Sequence, residues 1–188
     1  MRDYSSMSEN DPDIKGTVEQ NRDTLKKLQM AVPGLRGYRE REDMRVADEI
    51  LRNQMADRLD RARENLELLR KRVALSGDYT DLVALGSLIA QIQALSGEVR
   101  HAAQGYSGFV AAVKVDETKL EALYNYDYSF VSAVLELQSS CEKLLQSYNP
   151  AVAGSLQAGL LSLSETVGDV KKKWSTRIEA IEGVAIGG

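Results

Sequence analysis

Only a few residues in this 188-residue chain have types and spacings that could do chemistry. Glu98-Val99-Arg100-His101 has the Glu-x-x-His spacing with which one helix presents a carboxylate and an imidazole to a metal. A di-iron or di-manganese carboxylate bundle needs that pair twice and two more glutamates, yet His101 is the only histidine. A structural zinc site fails on the same count, because one Cys and one His cannot supply four ligands. No metal and no cofactor are expected. Cys141 is the only cysteine. It falls on the apolar seam of a helix, where a free thiol packs as a small hydrophobe and not as an activated nucleophile. Nucleophile-elbow, P-loop and dinucleotide fingerprints are absent. No catalytic residue is assigned, and the chain is read as non-enzymatic.

Asp127 is the polar position out of place. Leu120, Leu123, Phe130, Val134, Leu137, Cys141, Leu144 and Tyr148 mark one helical stripe, and the position between Leu123 and Phe130 holds a carboxylate. Burying an unpaired carboxylate costs several kcal/mol, so a partner is expected. The candidates are Arg36 or Arg39 from the segment before the second helix, or a tyrosine hydroxyl. Tyr124, Tyr126 and Tyr128 surround Asp127 in sequence. They read as core and rim packing or as a partner-binding face, since tyrosine is enriched at interfaces. The buried polar or partner-binding candidates are therefore Asp127, Tyr124, Tyr126, Tyr128, Arg36 and Arg39. Three readings of Asp127 stay open: a residue fixing helix register, a binding residue, or one exposed by helix rotation. Lys171, Lys172 and Lys173 with Arg177, flanked by Asp169 and Glu179, read as a solvated helix face.

These residues need helices to position them. Residues 1–16 are polar and aperiodic and read as a disordered tail. Thr17 and Gln20 have capping-box spacing, which predicts a short helix to about residue 30. Pro33-Gly34 and Gly37 mark a turn. Met55, Leu59, Ala62, Leu66, Leu69 and Val73 form a heptad seam on a long helix over about 39–75, ended by Gly77. Leu85, Leu88, Ile92, Leu95, Val99 and Ala102 repeat that rhythm over about 79–103. The glycines of 105–108 loosen or break the helix there. Asp116 caps a fourth helix to Tyr148, where Asn149-Pro150 stops it and begins the last one. The last seam is Val152, Leu156, Leu163, Val167, Val170, Trp174 and Ile181, and 183–188, with Gly187-Gly188, form a flexible end.

Such stripes must be hidden against one another. The expected fold is all-α: an antiparallel four-helix bundle of coiled-coil-like seams over 17–182, with a short additional N-terminal helix. Residues 82–97 carry no charge, so that helix is buried on more than one side or forms an interface. Ala151, Gly154, Ser155, Ala158 and Gly159 are small and should admit that uncharged helix closely. Residues 151–164 are also uncharged. If one core cannot bury both stretches, the chain should pair as a homo-oligomer.

Composition narrows the function. The net charge is −4, which disfavours nucleic acid as a partner. A single cysteine permits no intramolecular disulfide and suits a reducing compartment. The N-terminus shows no secretory pattern. The longest uncharged run, 144–164, contains Asn149, Pro150 and glycines, and reads as a helix junction, so no transmembrane segment is expected. These features together predict a cytoplasmic protein.

The stretch Pro33-Gly34-Leu35-Arg36-Gly37-Tyr38-Arg39-Glu40-Arg41-Glu42, with Asp48, Leu51-Arg52 and Tyr126-Asp127, resembles a group of uncharacterised prokaryotic helical proteins with a Pro-Gly-x-x-Gly-Tyr opening segment. The resemblance covers about a fifth of the chain. It implies a prokaryotic cytosolic setting and transfers no activity. The expected function is an interaction or scaffolding protein. The alternative is a small-molecule sensor with a pocket between helices, where Asp127 and tyrosines supply polar contacts.

Overall fold

In this computed structural model the described residues are 14–35, 41–77, 79–102, 117–152 and 154–186. Arg36, Gly37, Tyr38, Arg39, the glycines of 105–108 and Asp116 lie outside them, as do the side chains of Leu120 and Ile181. Among the described residues the protein is all helical: α1 Ile14–Ala31, α2 Arg41–Ser76, α3 Leu82–His101, α4 Glu117–Ser147 and α5 Gln157–Ile186. The helix α1 begins three residues before the expected capping box, inside the stretch read as tail. The helix α5 runs past residue 182, where Val184, Ala185 and Ile186 follow with no proline to stop it.

The seams bury as their period requires. Met55, Leu59, Ala62, Leu66, Leu69 and Val73 of α2 are buried, and so are Leu85, Leu88, Ile92, Leu95 and Val99 of α3. Phe130, Val134, Leu137, Cys141 and Leu144 of α4 face Leu160, Leu163, Val167, Val170 and Trp174 of α5 in one core cluster. Helix α2 packs against α3 and α4, α5 packs against α4 and α3, and α1 packs on α4. Arg52 near the start of α2 reaches Arg100 at the end of α3. Further along, the Arg70 guanidinium lies against Gly86 near the start of α3. Ser76 and Tyr148 share a hydrogen bond of 3.0 Å, which ties the α2–α3 turn to the end of α4. Gly34 and Gly77 have φ of 86° and 82°, left-handed values that suit glycine where each helix hairpin turns.

Two details of the last hairpin differ from the sequence reading. Proline 150 does not begin α5; a turn occupies the residues before Gln157. Asn149 accounts for this, because its side-chain oxygen accepts from Ala151 N and its carbonyl accepts from Val152 N. Those local bonds compete with helix, and Gly154 closes the turn at φ 72°. Val152 is consequently exposed and off the seam. The close approach at Gly159 also comes from another direction. A Cβ there would clash with the Leu144 side chain, so the glycine makes room for α4, where the sequence pattern points to the uncharged α3. Helix α3 itself keeps one open face, with Val83 83% exposed and Ala84, Ser87, Ala90 and Ala94 exposed along it. By length and composition alone α3 is apolar enough to cross a membrane, a test that a core helix also passes.

Candidate functional site

Asp127 is fully buried, as its seam position requires. Its partner is Arg177 of α5, whose Nε donates to Asp127 Oδ1. Arg177 is itself 1% exposed and was read from sequence as part of a solvated lysine-rich face. Its second arm, Nη2, donates to Asp48 Oδ1 of α2 at 2.6 Å. Asp48 Oδ2 accepts from Arg52 Nε at 2.8 Å, one turn along the same helix. Arg52 then donates through Nη1 to the carbonyl of Arg100 at 3.1 Å, in the last turn of α3. A ladder of alternating charge, Asp127 to Arg177 to Asp48 to Arg52, thus crosses the core and touches four helices.

The geometry explains why two arginines and two aspartates tolerate the interior. Each acid faces a cation and the four formal charges cancel. Arginine suits such a place, because its planar fork stays charged and donates in two directions at once. Desolvating these ions costs several kcal/mol each, which mutual attraction and hydrogen bonding offset only when every member is in place. Trp174, one turn before Arg177, packs its ring 5.5 Å from the guanidinium carbon and 5.1 Å from the Phe130 ring. Its indole N–H donates to Glu98 Oε1 at 2.8 Å, so the apolar ring is buried while its polar edge is met.

A second, more open cluster lies on α3 beside the ladder. Arg100 Nη2 donates to Asp57 and Asp60 of α2, both at 2.9 Å, and Ser96 Oγ donates to Asp60 at 2.9 Å. The hydrogen bond with Asp57, joined by that with Asp60, holds the Arg100 guanidinium above its ordinary pKa despite an opposing desolvation. Cys141 sits fully inside the α4 seam. Burial pushes its thiol up to about 12, which keeps it protonated and unreactive.

The other sequence candidates separate. Tyr124 is buried next to the ladder, whereas Tyr126 and Tyr128 are exposed at 37% and 36%. Lys27 of α1 lies over the Tyr128 ring at 5.8 Å. Arg36 and Arg39 lie outside the described residues. Sequence reasoning missed Arg177, Asp48 and Arg52 as ladder members, although a signal was available. Positions 163, 167, 170, 174 and 177 continue one heptad rhythm on α5, and 48, 52, 55 and 59 continue one on α2. No group of three or more potential metal ligands occurs among the described residues. Two of the open surface grooves are lined by described residues. One of about 460 Å³ is lined by Glu67, Arg70, Lys71, Ala74, Leu82 and Ile89, and one of about 220 Å³ includes Tyr126, Asp169 and Lys172. Asp127 lines neither of these two. No protein-family model, curated protein or solved structure matches the chain.

Proposed function

We propose that this chain is a non-enzymatic interaction or scaffolding protein of the cytoplasm, built as an antiparallel four-helix bundle of α2 to α5 with α1 docked outside. The ladder carries this reading. Its charged groups satisfy one another in a closed interior and clamp four helices in register, which is what a rigid presenting scaffold needs. Opposed pairs such as Arg52 with Arg100 and Arg70 with Gly86 support the antiparallel sense of α2 and α3.

The surface to be presented includes the uncharged face of α3 and Leu161 on neighbouring α5, which is 66% exposed. Self-association through that face follows, because it combines exposed apolar side chains with small residues that let helices approach. At its natural abundance the chain should elute from a sizing column well ahead of its 20.8 kDa monomer. Elution as a monomer would overturn the assembly reading. With purified protein, sedimentation should show a dimer that Ala90→Glu abolishes.

The second reading, a small-molecule sensor, draws on the α2–α3 groove, where Arg70 and Lys71 stand beside Leu82 and Ile89. Carboxylate-bearing apolar ligands should then raise the melting temperature, and Arg70→Ala should cancel the rise. A ligand set producing no shift removes that reading.

A further inference from the structure

Helix α3 carries two heptad seams on opposite faces. The inner one, Leu85, Leu88, Ile92, Leu95 and Val99, is buried in the core. The outer one, Val83, Ser87, Ala90, Ala94 and Gly97, follows at steps of 4, 3, 4 and 3. Val83, Ser87, Ala90 and Ala94 are exposed, and Gly97 is half-buried. A solvated helix face of this length ordinarily carries charge, as α2 does at Arg61, Glu64, Arg70 and Lys71. The outer seam of α3 carries none.

Gly97 sharpens the contrast. A glycine inside a helix weakens it relative to alanine. At Gly159 the space taken by Leu144 accounts for the missing side chain, but a Cβ at Gly97 would meet nothing within 4 Å. Gly168 is equally open, yet its neighbours one turn away, Glu165 and Lys172, make that surface charged. Gly97 instead ends an uncharged stripe of small residues.

That stripe is complementary to itself when a second α3 runs the other way. A two-fold axis at Ala90 sets Ala90 against its own copy, Ser87 against Ala94, and Val83 against Gly97. Symmetry makes each unlike pairing twice. Val83 is the large side chain of the seam, and Gly97 is the member with no side chain. Parallel copies would oppose Val83 to Val83 and leave a gap between two glycines. Charge selects the same direction. Asp81 caps the start of α3, and Arg100 and His101 lie in its last turn. Antiparallel copies bring the acidic end of each to the basic end of the other, whereas parallel copies bring like ends together. A copy of this face also buries no ion along the seam.

We propose that the chain dimerises through an antiparallel pair of α3 helices, with the two-fold axis at Ala90 and Val83 of each copy seated over Gly97 of the partner subunit. The inference rests on the self-association reading and specifies its geometry. Val83 and Gly97 set the direction of pairing, and Ala90 sets its centre.

The test combines sedimentation of the purified full chain with cysteine cross-linking under mild oxidation. Cys141 is buried and takes no part. Ala90→Cys, at the axis, should give a disulfide-linked dimer. Val83→Cys alone should not, and Val83→Cys with Gly97→Cys in one chain should. The two cysteines of that chain stand about 21 Å apart along one helix and cannot join each other. Gly97→Val should weaken the dimer at least ~10-fold, because a side chain then opposes Val83 on both sides of the axis. Its fold is spared, since the space above Gly97 is open. Val83→Ala with Gly97→Val exchanges large for small and should recover most of the lost affinity. Where Gly97→Val loses its helical signal, the cysteine variants decide. A dimer that cross-links through Val83→Cys alone overturns the antiparallel pairing, as does one that a folded Gly97→Val leaves unchanged. Either result leaves self-association standing, whereas a monomer at every concentration removes both.

Discussion

Arg177 holds Asp127 and Asp48 at once, one carboxylate on each arm, and so joins α4 to α2 through a residue of α5. Removing it takes the shared cation from both buried carboxylates, although Asp48 keeps Arg52. Arg177→Met should therefore cost about 3–5 kcal/mol in denaturant melts, the range for breaking a buried ion pair by removing one partner.

Asp127→Leu tests the same bridge from the other end. It removes the carboxylate on one arm of Arg177, while Asp48 on the other arm already shares its second oxygen with Arg52. The single change should destabilise by about 2–4 kcal/mol, and Asp127→Leu with Arg177→Met should restore much of the loss. Asp127→Asn keeps the shape and should fall between wild type and Asp127→Leu. A double variant whose cost equals the sum of the two singles would contradict a coupled ladder. Trp174 offers a second readout as the only tryptophan, packed 5.5 Å from the Arg177 guanidinium carbon. Its emission should be blue-shifted in the native chain and move to the red in Arg177→Met.

Much of this fold is legible in the sequence because its signal is periodic. The seams of α2, α3 and α4 need only a count of threes and fours, and Asp127 stands out as an interruption of one. Arg177 was hidden by local composition. Three lysines just before it suggest a wet face, although its heptad position points inward. Asp48 and Arg52 were hidden because the α2 seam was read only from Met55 onward. The α4–α5 turn was illegible for a different reason. Asn149-Pro150 suits both a helix start and a side-chain-capped turn, and the choice rests on hydrogen bonds that periodicity does not encode.

Cys141 gives a pH dependence with a definite sign. The native thiol is pushed up to about 12 from an ordinary value of 9.0. Above that ordinary value the unfolded chain loses a proton that the native chain keeps, so stability falls as pH rises. Between about pH 9 and 12 the thiol should contribute a loss of about 1.4 kcal/mol per pH unit. Below that window its contribution is fully present. Cys141→Ala should flatten the alkaline slope relative to wild type, and a thiol reagent at pH 8 should label the native protein only as fast as it unfolds. Rapid labelling of native protein would contradict the burial.

Two helical glycines of α5 should respond differently to alanine. At Gly168 a Cβ meets nothing within 4 Å, so Gly168→Ala should stabilise by about 0.5–1 kcal/mol through helix propensity alone. At Gly159 the Cβ would press on the Leu144 side chain, which must turn aside in a buried position. Gly159→Ala should therefore stabilise less than Gly168→Ala or destabilise. Equal gains at both sites in thermal melts would contradict the close approach of α4 to α5.

The ladder also bears on how the chain is made. Its four charges come from positions 48, 52, 127 and 177, and the cation that serves both α2 and α4 is the last to leave the ribosome. Until Arg177 emerges, a nascent chain has Asp127 without that bridge, so the native layer cannot close around it. Closure of α2 onto α4 is thereby tied to completed synthesis of α5. A stalled product ending before residue 177 should stay open and fall to cellular proteases, which makes the ladder a check on chain completeness.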